Sequence, residues 1–151
     1  MLDFQPDGVY PLIKIATPME IDFFQEHQNI IEKKKYVWFC RFGKNNMKIE
    51  SLENCEKILL IKDSEKKGGN VYIAKYDLVK AGNFSVKNDY PTYYEDILQN
   101  KGLWMRLLSI EHYSKEKLNA NFVINSSGNK VSNVFRSMCP ATFLKYKLDE
   151  Q

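Results

Sequence analysis

Cysteine is scarce in this sequence and poorly placed for chemistry. Cys40, Cys55 and Cys139 form no C-x-x-C pair, so neither a zinc centre nor a thioredoxin-like redox site has support, and no metal or cofactor is expected. Histidine is scarcer still. His27 falls in an expected helix and His112 near the end of an expected strand, with no nucleophile-elbow motif to supply a serine or cysteine nucleophile. Gly68-Gly69 lacks the Gly-Lys-Ser/Thr ending of a phosphate-binding loop. Asp63, Asp77, Asp89 and Asp96 show no spacing suited to a metal nuclease. Catalysis is therefore not the expected activity.

Long apolar runs are also missing. Eighteen consecutive apolar residues occur nowhere, and MLDFQPDGVYPLIKIATP has no basic region followed by an apolar core. The expected location is cytoplasmic and reducing, with no membrane partner. The matches to the N-glycosylation pattern at Asn83 and Asn125 read as chance. Charge of one sign is limited too, because a formal net charge of +3 gives only modest long-range attraction to a polyanion unless the cations converge on one face.

Aromatic residues are what the chain does have: 13%, with nine Tyr and nine Phe, a composition suited to strands and stacking surfaces. Its 151 residues suffice for a single domain with its own core. Thr17-Pro18-Met19-Glu20 combines an N-cap, a first-turn proline and a capping glutamate, which predicts a helix ending in Lys33-Lys34-Lys35. Residues 1–34 are accordingly expected to form an N-terminal helical extension. Tyr36 to Phe42 predicts a strand. Lys57 to Lys62 and Asn70 to Tyr76 predict a hairpin across a polar, glycine-containing turn. A loop is expected over 83–91, then a short helix from Thr92 to Gln99 stopped by Gly102. A long strand follows from Leu103 to Tyr113, a short helix from Lys130 to Ser137 and a last strand from Ala141 to Lys147.

Gly102-Leu103-Trp104 opening a strand and Asn129-Lys130-Val131-Ser132-Asn133-Val134-Phe135-Arg136 following it resemble, in order rather than identity, the PUA-like superfamily and especially its YTH and EVE domains. The similarity covers about the last ninety residues, from Lys57. It implies an α+β fold, a twisted and partly closed β-barrel of about five to six strands with short flanking helices. It further implies a non-catalytic domain that flips a modified, methylated base into an aromatic pocket. DNA is the preferred ligand over RNA, and the setting is the specificity module of a restriction or defence system, with a motor or nuclease subunit as a further partner.

Such a pocket needs flat walls, groups that read a base edge, and cations for flanking phosphates. Trp38, Tyr93, Tyr94 and Trp104, with Tyr90 beside them, are the candidate walls; Asn133 and Ser137 the candidate edge readers; Arg41, Lys44 and Arg136 the candidate phosphate partners. Each has a structural alternative. Trp38 and Trp104 equally suit an ordinary core, Tyr93 and Tyr94 are adjacent and cannot both point inwards, and Arg136 equally suits a helix end or an ion pair. A protein-interaction or regulatory module with exposed aromatics is the alternative function.

Overall fold

The structure is a computed structural model and describes residues 4–15, 22–42, 47–62, 70–81, 89–94, 101–131 and 141–147. Within them the chain runs β1 (Val9–Ile15), α1 (Phe23–Lys34), β2 (Val37–Phe42), α2 (Ile49–Glu53), β3 (Lys57–Lys62), β4 (Asn70–Ala81), β5 (Lys101–Tyr113), α3 (Lys115–Asn121), β6 (Phe122–Ile124) and β7 (Ala141–Tyr146). The strands form one seven-stranded mixed sheet in the order β2-β5-β4-β3-β1-β7-β6. β1 and β3 pair in parallel, and the other ladders are antiparallel.

The α+β class expected from sequence holds, with seven strands instead of five or six. Among the described residues β2 and β6 remain edge strands, so the sheet does not close into a barrel.

Composition explains the centre of the sheet. Ile58, Leu59, Leu60 and Ile61 are all fully buried, as an uninterrupted apolar run must be when both faces of its strand are covered. Ile58 and Leu60 join a core with Ile13, Val37, Phe39, Leu103, Met105 and Leu107. Leu59 and Ile61 join a second core with Leu12, Val71, Ile73, Leu118, Phe122 and Leu144. The period-two alternation of each strand separates these sets.

The expected N-terminal helical extension contains α1 but also β1, which lies inside the sheet between β3 and β7. Pro11 argues against a central strand because it has no N–H to donate. It is accommodated because the ladder with β3 begins only at Leu12. α1 starts after Asp22, whose carboxylate accepts from Gln25 N–H at 3.0 Å. The Thr17 cap lies outside the described residues. The lysine run ends α1 as expected, with Lys35 left-handed at φ 74° and its N–H donating to Ile31 O.

The hairpin of β3 and β4 forms in the expected place, and β4 continues to Ala81. Gly102 lies within β5, which begins at Lys101. The helix expected from Thr92 is, in its described part, a single 3₁₀ turn over residues 92–94 with Tyr94 N–H donating to Pro91 O at 3.0 Å. The rest of that expected helix, over 95–100, lies outside the described residues, and so does its end before Gly102. Of the helix expected at 130–137, Lys130 instead bridges Val123, and residues 132–137 lie outside the described residues. The last strand forms as β7.

Candidate functional site

β2 is the edge strand on which the candidate site is built. Val37 and Phe39 face the larger core, so Trp38 and Cys40 face the other way, where they meet Trp104 from β5 and Tyr94 from the 3₁₀ turn. Cys40 and Trp104 are direct partners in the antiparallel ladder, as are Trp38 and Arg106. Tyr36, Leu78, Tyr90 and Tyr93 pack around this centre, half-buried.

The free edge of β2 is covered by residues 89–94. Trp38 N–H donates to Asp89 O at 2.8 Å, and Cys40 N–H donates to the Tyr94 hydroxyl at 3.4 Å. The strand's outward N–H groups, which would otherwise pair with another chain, thus hold the aromatic segment in place. Tyr90 and Tyr94 stack nearly parallel, 9° apart with centroids at 5.8 Å. Tyr93 stands edge-on to Tyr94 at 4.9 Å. Trp104 lies 5.8 Å from Tyr90 and 6.2 Å from Tyr94, tilted against both.

Tyr94 also ties the cluster to α1. Its hydroxyl lies 2.5 Å from His27 Nε2, while His27 Nδ1 lies 2.8 Å from Phe23 O. A carbonyl only accepts, so Nδ1 carries the proton and Nε2 accepts from the tyrosine O–H. His27 is fully buried. Burial lowers its pKa to about 4, with the Phe23 carbonyl pulling weakly the other way, so the ring is neutral. Burial also pushes the Tyr94 hydroxyl well above the usual tyrosine range.

A charged frame surrounds Tyr36. Its hydroxyl donates to Asp89 at 2.7 Å, Lys34 bonds the other Asp89 oxygen at 2.6 Å, and the Arg106 guanidinium lies 5.4 Å from the ring centre. Arg106 grips Asp77 with two bonds of 2.9 and 2.6 Å. Its hydrogen bonds hold the Asp77 carboxyl below the usual range. Lys34 first, then Tyr36, does the same for Asp89.

Four expected wall residues, Trp38, Tyr93, Tyr94 and Trp104, are therefore brought together. Trp38 is 7% exposed and Tyr94 and Trp104 are each 1% exposed, so they form the cluster's interior. Tyr93 and Tyr94 divide as adjacency requires, one half-buried and one buried. Arg41 is 8% exposed and pairs with Leu103, which belongs to the larger core. It therefore lies on the face of β2 opposite the cluster. Lys44, Asn133, Arg136 and Ser137 lie outside the described residues.

Sequence reasoning missed Tyr36, His27, Arg106 and Lys80. Lys80 is exposed and directly opposite Trp104 in the β4–β5 ladder. With Leu78, a cluster member two residues earlier, it shares the cluster's face by alternation. The signal was available in the apolar-polar alternation of Leu78-Val79-Lys80, but only the register places it beside Trp104.

Trp104 Nε1 is buried and has no hydrogen-bond partner among the described residues. An indole N–H is a donor only, and leaving one unsatisfied costs about 1–3 kcal/mol. Among the described residues no group of three or more His, Cys, Asp or Glu side chains is arranged to hold a metal ion. No helix among the described residues is long and apolar enough to cross a membrane. Fold and site together define an α+β protein with an open mixed sheet and an aromatic cluster at one edge. Comparison with protein-family models, curated proteins and solved structures gives no match.

Proposed function

We propose that this chain is a non-catalytic, PUA-like nucleic-acid-binding domain that reads a modified base through the Trp38–Tyr94–Trp104 cluster. DNA is the preferred ligand, and the role is that of a cytoplasmic specificity module in a defence system, acting with a motor or nuclease. The observation that carries this reading is the unpartnered Trp104 N–H buried among stacked rings, a donor suited to an acceptor on the edge of an inserted base.

In this reading Tyr90 occupies the base's place. It lies parallel to Tyr94 and tilted against Trp104, as a stacked base would, so a base enters by displacing it. Stacking supplies about 1–3 kcal/mol per base against an extrusion cost of a few kcal/mol, so both Tyr94 and a second wall, Trp38 or Trp104, are needed. Lys80 replaces Arg41 as the phosphate partner, because it is exposed beside the cluster.

The test is fluorescence anisotropy at low and moderate salt with labelled DNA and RNA oligonucleotides, unmodified or carrying methylcytosine or methyladenine. Salt-sensitive binding that favours one modified strand supports the proposal. Absence of binding to all of them at low salt sinks it and leaves a protein-interaction surface built on Tyr36, Tyr90 and Tyr93.

A further inference from the structure

A cleft of about 340 Å³ opens on the face that carries the larger core, between α2, β7 and the turn after β6. It is remote in kind from the aromatic cluster. Buried Met47 and half-buried Phe143 supply its apolar surface, and Lys48, Ser51, Asn125 and Ser126 its polar surface. Among the described residues no carboxylate lines it, and the one charged side chain is that of Lys48.

The walls are fixed by bonds that leave the lining side chains to face the opening. The Tyr76 hydroxyl donates to Leu52 O and so ties α2 to β4, and the Cys55 thiol lies 3.4 Å from Val9 O, tying α2 to β1. Across the cleft, Asn125 N–H donates to Phe143 O at 2.9 Å. Gly128 takes a left-handed φ of 74°, with its N–H donating to Ile124 O at 2.7 Å, which closes the turn that presents Asn125 and Ser126.

Volume, charge and lining restrict the occupant. Ligand clefts span about 300–1,000 Å³, so this one takes a small molecule. Among the described lining residues, Lys48 beside hydroxyls and an amide, with no acid, selects an anion. Phe143 beside Met47 selects a flat apolar body. We propose that the cleft binds a phosphate-bearing aromatic ligand of mononucleotide size, with its phosphate at Lys48 and its ring against Phe143. This site stands independently of the base-reading proposal.

The test is calorimetric titration of the full chain with a 5′-mononucleotide, the matching nucleoside and inorganic phosphate. The mononucleotide binds more tightly than either part. Lys48→Glu, at an exposed position, weakens it at least tenfold while leaving the weaker nucleoside binding unchanged, and Ser51→Phe, checked for folding by circular dichroism, blocks both. Trp38→Phe leaves the mononucleotide affinity unchanged. The proposal is overturned if the mononucleotide fails to bind at millimolar concentration, if Lys48→Glu binds it as well as the parent, or if Trp38→Phe abolishes binding and so moves the ligand to the aromatic cluster.

Discussion

The two faces of β2 and β5 are built from the same two strands but to different ends. On one face Val37, Phe39, Leu103, Met105 and Leu107 pack into a core without a polar side-chain atom of their own. On the other, Trp38, Trp104 and Tyr94 place indole and phenol groups in a similarly buried setting. The first arrangement is the ordinary aliphatic packing of a core, although Arg41, 8% exposed, shares that face of β2. The second carries an unsatisfied N–H, a feature that lowers stability and needs another reason to exist. Its Tyr94 bonds a buried neutral His27 that packs on Phe23 and Phe39 of the larger core.

Substitutions on the two faces should therefore separate folding from binding. The largest effect belongs to the aliphatic side. Leu60→Ala, at a fully buried position, is expected to cost about 2–5 kcal/mol in urea unfolding, while any protein that still folds binds its oligonucleotide as before. A cost under about 1 kcal/mol would show that the face tolerates voids and would weaken the contrast.

Next is acid. His27 titrates near 6.5 when unfolded and at about 4 when folded, so between these values the unfolded chain binds more protons and stability falls as pH falls. The loss approaches 3 kcal/mol, on the order of 1.4 kcal/mol for each pH unit between the two values, and above pH 6.5 it vanishes. Asp77 and Asp89 have lowered values and lose their contribution only at more acidic pH, below the histidine window. Urea titrations from pH 4 to 8 on the parent and on His27→Gln check this, and an equal slope in both would remove His27 as the cause.

Tyr94→Phe follows. It leaves His27 Nε2 and Cys40 N–H without the hydroxyl that joins them, at a cost of about 1–3 kcal/mol by thermal or urea unfolding. Trp104→Phe sharpens the comparison most, since it keeps a ring and removes the orphan donor. Its expected stability change is within about 1 kcal/mol of zero, together with loss of preference for the modified strand in anisotropy. Retained preference would show that the N–H reads nothing. Smallest in stability is Lys80→Ala, expected within about 0.5 kcal/mol but lowering the salt slope of binding by about one.

The strands that were legible in sequence are those whose pattern is local. KILLIK and YVWFCRF announce themselves by β-branched and aromatic residues between polar turns, and β3 and β2 follow them closely. β1 was not legible because Pro11 masks an otherwise apolar run, and only its partner's later start removes the objection. α2, α3 and β6 are 5, 7 and 3 residues long, too short for periodicity to speak. The aromatic walls were read from residue type, and four of them do meet. Strand alternation turns Arg41 to the core face, whereas Lys80 lies beside Trp104 by a register that no single strand reveals. His27 is buried as a structural histidine would be, yet its partner is a cluster member 67 residues away.

Both tryptophans of the chain, Trp38 and Trp104, belong to the one cluster, and the cleft beside α2 has neither. The protein thus carries an optical reporter confined to a single site. Displacement of Tyr90 by an incoming base would change the emission of both indoles at once, whereas an occupant held by Lys48 and Phe143 would leave the spectrum still.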